Sequence, residues 1–490
     1  MNRISCLAFV CVLSAFQVQA DDGKPNILLL VADDLGWKDV GYHDSFIETP
    51  NIDQIAKEGI ELDRFYVQPT CSPTRSALMT GKSPITLGMY RPASKHALHG
   101  VPLDEKLLPQ YLAALGYQRF MVGKWHLGMH KREQLPNARG FEHFYGSLTG
   151  GIGYWNKVHG GGYDLQRNGA TVREEGYITH LLVDEVRTLL AQRDKTRPHL
   201  MYVAFQAPHL PNEAPPETID KYAGKHDNPN RVVHAAMVDE LDQAIGDILS
   251  MYKEAGMLAN TLVFFMSDNG GLVPPGDDPA THSGIQKLGL VLADWFDRPV
   301  PGAGFRFIVS NVLDGGSDNS PLPGGKAFMK EGGVRVPAAI WWPGKLEGGK
   351  IDSPFTVSDV LPTLLEAIGA PEAIPADLNG LSQWAALNGG VSDAPDYVVS
   401  DLIEGFSIYR WPYKLIGAEE PRLYDVIADP LELHNLAAAQ PKKVQELTKA
   451  LDNWAYGEDP GLPSFYDIFF DPDTFGGKED REPWPDQVID

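Results

Sequence analysis

Four stretches of the chain are predominantly apolar without alternation, and each breaks off into polar residues. Residues 26–32 end in Asp33-Asp34, and residues 117–122 run into Gly123-Lys124-Trp125-His126. Residues 199–205 run into Gln206-Ala207-Pro208-His209, and residues 261–267 end in Asp268-Asn269-Gly270-Gly271. Runs of this kind predict strands buried on both faces of a parallel sheet. Between them the spacing predicts crossover helices at 51–59, 107–115, 177–191 and 231–255. The last has apolar positions at Val232, Ala236, Leu241, Ile245 and Leu249. Strand–helix alternation implies an α/β domain with helices on both sheet faces. After a helix at 358–368 the pattern changes near Gly380 to short strands at 396–400, 406–410 and 413–416, then a helix at 442–454. The expectation is a large domain over 21–379 and a small C-terminal subdomain over 380–490.

In open α/β sheets, ligand groups collect at the carboxyl ends of the strands. Two of these ends each offer two oxygen donors, Asp33-Asp34 and Asp268-Asn269. Carboxylates plus an amide suit a hard cation, and calcium fits better than zinc because no thiolate–histidine cluster accompanies them. Taken singly, each pair also reads as a solvated turn, and Lys124, His126 and His209 as ordinary surface or structural residues. Their convergence on one rim favours a site.

The stretch from Gln68 to Gly81 holds Cys71, the only cysteine beyond Cys6 and Cys11. Pro73 suits a first helical turn, and Ser76-Ala77-Leu78-Met79 continues as helix until Gly81. Cys71 then sits at a helix N-terminus, with Arg75 on the same face. These residues fit a buried thiol as well as a reactive one.

Residues 1–20 read as a secretory signal: Arg3, an apolar stretch from Leu7 to Phe16, and Val18-Gln19-Ala20 as cleavage site. No segment has the length of a membrane span, so a secreted or periplasmic protein is expected. With 65 acidic against 42 basic residues the formal charge is −23, which argues against nucleic acid. Binding an anion then requires a local cationic pocket. With 43% hydrophobic residues, the 49 glycines and 38 prolines imply ordered loops rather than disorder.

Cys71-x-Pro73-x-Arg75 followed by Thr80-Gly81 resembles the signature of the formylglycine-dependent sulfatases. Gly123-Lys124-Trp125-His126, Pro208-His209 and the Glu331-Gly332-Gly333-x-Arg335 block are similar to further sulfatase segments. The resemblance implies an alkaline-phosphatase-like sandwich: a large mixed, mostly parallel sheet flanked by helices, plus a small C-terminal antiparallel sheet. It implies that Cys71 is oxidised to Cα-formylglycine by a maturation enzyme, either formylglycine-generating or anaerobic. Calcium is then held by Asp33, Asp34, Asp268 and Asn269 with residue 71. Lys124 and Lys326 neutralise the sulfate, and Arg75 orients the aldehyde. Hydrated formylglycine attacks, His209 protonates the leaving oxygen, and His126 restores the aldehyde. Lys326 rather than Lys330 matches the family lysine, five residues before Glu331.

Val101 to Gln110, Met121 to Met129, Leu135-Pro136 and Arg139-Gly140-Phe141 resemble N-acetylgalactosamine-4-sulfatase (arylsulfatase B) and bacterial carrageenan-type sulfatases. The implied substrate is a sulfated oligo- or polysaccharide bearing 4-O-sulfated galactose-type units. Tyr154, Trp155, His159 and Arg167 are candidate ring contacts, or residues that pin their loop. An insert at about 272–320, with His282, Trp295, Arg298 and Arg306, either covers the site or forms a surface or oligomer contact. The fold also serves phosphonate and phosphodiester hydrolases, and an unoxidised Cys71 would leave a non-catalytic glycan binder.

Overall fold

The computed structural model describes residues 23–93, 98–159, 162–273, 315–391, 393–400, 405–417, 419–458 and 488. The expected signal segment, most of the insert with His282, Trp295, Arg298 and Arg306, and nearly all of the tail from 459 lie outside the described residues.

Ten strands form the main sheet: β1 (Asn26–Ala32), β2 (Ile60–Leu62), β3 (Gln118–Lys124), β4 (His143–Ser147), β5 (Gln166–Arg167), β6 (Ala170–Thr171), β7 (His199–Ala204), β8 (Thr261–Ser267), β9 (Ala338–Trp341) and β10 (Gly349–Ile351). Their order is β10-β2-β9-β8-β1-β7-β3-β4-β5-β6. The central five, β8-β1-β7-β3-β4, are all parallel. Strand β9 runs antiparallel to both β8 and β2, and β5 and β6 add an antiparallel edge. The sheet is therefore mixed around a parallel centre. The four apolar runs of the sequence are β1, β3, β7 and β8, all within that centre.

Strand β1 shows why its sequence does not alternate. Leu29 and Val31 pack with Leu78, Leu361 and Leu364 on one side. Leu28 and Leu30 pack with Val186, Ile245 and Ile248 on the other. Each face needs apolar residues, so positions 27–32 are all apolar. The first layer is built on α2 (Cys71–Thr80), α3 (Leu108–Ala114) and Val360–Ala367. The second is built on α1 (Pro50–Glu58), α4 (Ile178–Gln192) and α5 (Pro229–Glu254).

The antiparallel C-terminal sheet comprises β11 (Tyr397–Ser400), β12 (Phe406–Arg410), β13 (Tyr413–Gly417) and β14 (Arg422–Asp425). One face buries Val398, Ile408, Leu415 and Leu423 against Leu447 and Leu451 of helix Pro441–Asp452. The other packs Val399, Tyr409 and Ile416 against Tyr66, Met329 and Val334. The Gln68 amide bonds the Tyr397 hydroxyl, the Val398 carbonyl and the Ser400 N–H. The small sheet thus grips the segments just before α2 and around Glu331. Among the described residues no helix is long and apolar enough to cross a membrane.

Candidate active site

Helix α2 is buried along its whole length, although half its side chains are polar. Burial is tolerable because those groups are bonded. Ser72 Oγ donates to the His126 carbonyl at 2.7 Å, Thr74 Oγ1 accepts from the Gln68 N–H at 2.9 Å, and Ser76 Oγ donates to the Pro73 carbonyl at 2.8 Å. Cys71 is the first residue of the helix, with Thr70 as N-cap and Gly81 as C-cap. Pro73 lies in the first turn, where its missing N–H costs nothing. Cys71 Sγ lies 3.4 Å from Asp33 Oδ1. Burial, with Asp268 next, pushes its pKa well up, so the unmodified side chain is a neutral thiol.

Three strand ends, helix α2 and the Lys326 loop bring charge around this sulfur. Lys124 Nζ donates to Asp33 Oδ2 at 2.6 Å, both side chains fully buried. Lys326 Nζ donates to Asp34 Oδ2 at 2.6 Å. Arg75 reaches Asp268 rather than Cys71: Nε donates to Oδ2 at 2.8 Å, and Nη1 donates to the Lys124 carbonyl. Lys326 takes the pairing with Asp34, while Lys330 is the N-cap of the turn Glu331–Val334. Burial alone would raise the Asp34 pKa, but Lys326, His209 and Lys124 overcome it and hold the carboxyl well below its usual range. Burial and the neighbouring Asp33 raise that of Asp268 against the pull of Arg75.

The three carboxylates and three cations balance, so the constellation is formally neutral. Ligand atoms of Asp33, Asp34, Cys71 and His209 lie within 4.8 Å of one another. Asn269 Nδ2 donates to Asp34 Oδ1 at 2.7 Å, while its buried Oδ1 has no hydrogen-bond partner. A buried amide oxygen left unmatched beside converging carboxylates fits a hard cation such as calcium. Adding a dication makes the site cationic and suited to an anionic ester. Asp268 fits less directly, since Oδ2 is taken by Arg75 and Oδ1 accepts the Asp34 N–H at 3.3 Å.

Asp34, His126 and Ala327 adopt left-handed backbone, at φ of 67°, 57° and 74°, and strain of this kind clusters at functional sites. The loop after β4 closes over both histidines. A Cβ on Gly150 would lie 2.6 Å from His126 Cε1, and one on Gly151 would lie 2.9 Å from His209 Cε1. His126 Nε2 bonds the Ala93 carbonyl at 3.0 Å. His209 Nδ1 donates to the Leu210 carbonyl at 2.7 Å, and its Nε2 lies 3.6 Å from Asp34 Oδ2.

The candidate ring contacts separate. Tyr154 is fully buried, and its hydroxyl donates to the Gln206 and His209 carbonyls. Arg167 pairs with Glu174 and Glu185. Both pin their loops. Trp155 is 46% exposed and rests against Tyr177. The side chain of His159 lies outside the described residues.

Three groups escaped the sequence reading. Gly150 and Gly151 form a glycine-rich turn that the sequence does not tie to either histidine. Asp39 binds Arg231, His234 Nε2 at 2.9 Å and the Asp318 N–H. Asn319 links the site's loops. No local pattern marks either polar residue, because their partners are distant in sequence.

A sulfatase family model matches residues 25–370. Arylsulfatase J of Mus musculus is 30% identical over 89% of this chain and 76% of its own length. N-acetylgalactosamine-6-sulfatase of Rattus norvegicus is 32% identical over 78% of this chain and 70% of its own. The crystal structure of Ps i-CgsB with k-i-k-neocarrahexaose superposes with a TM-score of 0.76 at 27% identity, covering 93% of this chain and 98% of that one.

Proposed function

As this chain belongs to the sulfatase family and is a sulfuric ester hydrolase, we propose that it desulfates 4-O-sulfated galactose-type units of a sulfated polysaccharide or its fragments. We take it to work outside the cytoplasm after a maturation enzyme oxidises Cys71. The observation that carries the mechanism is the packing of Lys124, Lys326, Arg75, Asp33, Asp34 and Asp268 around that one buried side chain. Calcium held by Asp33, Asp34, Asn269, residue 71 and the Asp268 carboxylate would supply electrostatic stabilisation of the sulfuryl oxygens, and hydrated formylglycine the attacking hydroxyl.

The chain's own groups do the rest. Lys124 and Lys326 already point ammonium groups at the converging carboxylates, so an incoming sulfate meets fixed positive charge without reorganisation. Arg75 fixes the Asp268 carboxylate and the Lys124 main chain. Burial and Lys326 hold the His209 pKa down to about 3. An anionic ester beside Nε2 would favour the protonated form that can pass a proton to the departing sugar oxygen. His126, against the same loop and tied through its carbonyl to Ser72 at the helix start, would take the proton that releases sulfate.

The axial 4-oxygen of a galactose projects its sulfate away from the ring, which suits a deep cationic pocket. Trp155, exposed beside the His209 loop, would meet the apolar ring face. The rat relative's name favours a second reading, 6-O-sulfated sugars. Desulfation of defined 4-O- and 6-O-sulfated galactan and glycosaminoglycan oligosaccharides separates them. Preference for 6-O-sulfate would overturn the first.

A further inference from the structure

The described ends of the insert meet beside the Asp34 main chain. The N–H groups of Gly316 and Ser317 both donate to the Leu272 carbonyl, at 3.2 and 3.1 Å. Ser317 Oγ donates to the Asp34 carbonyl at 3.2 Å, and the Lys38 N–H donates to the Asp318 carbonyl at 2.8 Å. Asn319, 2% exposed, lies at the centre. Its Oδ1 accepts from the Gly271 N–H at 3.0 Å and the Trp37 N–H at 3.4 Å. Its Nδ2 donates to the Gly271 carbonyl at 2.9 Å and the Gly324 carbonyl at 3.1 Å. Both N–H groups and the oxygen of one amide are thus fully used.

Each partner stands two or three residues from a charged or ligating residue. Trp37 follows Asp33-Asp34, Gly271 follows Asp268-Asn269, and Gly324 precedes Lys326. The Gly271 carbonyl also accepts the Lys326 N–H at 3.1 Å, and the three loops approach so closely that a Cβ on Gly325 would lie 2.7 Å from Asn319 Nδ2. We propose that Asn319 is a positioning residue that locks the Asp34, Asn269 and Lys326 loops into one register. Its oxygen and one N–H brace the metal side through Trp37 and Gly271, and its second N–H reaches the Lys326 side through Gly324. The lock lets a long excursion leave Leu272 and return at Gly316 without loosening the site. The expected effects on activity rest on the sulfatase reading.

The test uses full-length matured protein with Asn319→Asp and Asn319→Ala. Calcium binding is measured by titration calorimetry, turnover with a small aryl sulfate, and folding by thermal melting. Asn319→Asp keeps the acceptor, loses both donors and sets a carboxylate oxygen against the Gly271 and Gly324 carbonyls. It should lower kcat/KM and weaken calcium, each by at least roughly tenfold, since both loops lose a bond. Asn319→Ala loses both halves and should also weaken calcium by roughly tenfold. Variants that melt lower yet bind calcium and turn over like wild type would overturn the proposal. Wild-type protein that neither binds calcium nor cleaves the ester would instead fail the sulfatase reading itself.

Discussion

Replacing Gly150 with alanine places a methyl group 2.6 Å from His126 Cε1 and 2.8 Å from Nε2, where 3.4–4 Å is ordinary contact. The loop or the ring must therefore yield by close to an ångström. His126 has little freedom to yield. Its Nε2 is bonded to the Ala93 carbonyl, its own carbonyl is held by Ser72 Oγ, and its ring is buried. Swinging the imidazole forfeits the Ala93 bond, and lifting the loop disturbs Gly151 over His209. A displacement of about 1 Å in a catalytic group costs on the order of a hundredfold in rate, or about 2.7 kcal/mol. Overpacking should cost about 1–3 kcal/mol of stability. Steady-state kinetics on a small aryl sulfate should show kcat down roughly a hundredfold, with KM changed only a few-fold because the sulfate-binding cations are untouched. Gly349→Ala, where an added Cβ meets nothing within 4 Å, is the matched control. A Gly150→Ala enzyme with kcat near wild type would refute the placement of His126 in the chemistry.

Asp39 carries a stability prediction: burial would raise its pKa, but Arg231 and His234 bring it to about 2 from 3.8. A depressed carboxyl stabilises the fold above its unfolded pKa. About 2 kcal/mol should therefore be present at neutral pH and lost as pH falls from about 4 to 2. Denaturant unfolding of Asp39→Asn against wild type should show a gap at pH 7 that closes over that window, and a pH-independent gap would contradict it. Chelation should abolish turnover and calcium restore it. Asn269→Ala should raise the calcium needed by at least roughly tenfold, and two tightly bound zinc ions would point to phosphatase-like chemistry instead. Trp155→Ala should raise KM several-fold for a sulfated oligosaccharide while leaving aryl sulfate hydrolysis and melting unchanged. Equal effects on both substrates would remove the indole from the sugar site.

The sheet's centre was legible because burial on both faces forces unbroken apolar runs, and β1, β3, β7 and β8 each have one. The short antiparallel strand β9 was not. Ala338–Trp341 is only four residues long, and its place between β8 and β2 is decided by pairing rather than by its own pattern. The site residues lay at strand ends or in a dense local signature, so Asp33, Asp34, Lys124, Asp268 and Cys71 could be picked out singly. Their pairings could not. That Arg75 serves Asp268, and that Lys326, already preferred over Lys330, meets Asp34, follows from how distant loops converge. Asn319 and the Asp39–Arg231–His234 group were invisible for the same reason. A polar residue in a loop reads as solvated until a partner hundreds of residues away buries it. Tyr154 shows the reverse: an aromatic in a glycine-rich loop suggested sugar contact, but its hydroxyl is spent on the His209 main chain.

The account turns on residue 71, and mass analysis of the peptide that carries it, paired with turnover of the same preparation, tests it most directly. Preparations matured to different extents should show activity proportional to the fraction present as aldehyde or hydrate, with Cys71→Ala folded and inactive. Full activity in protein whose residue 71 is entirely free thiol would contradict it.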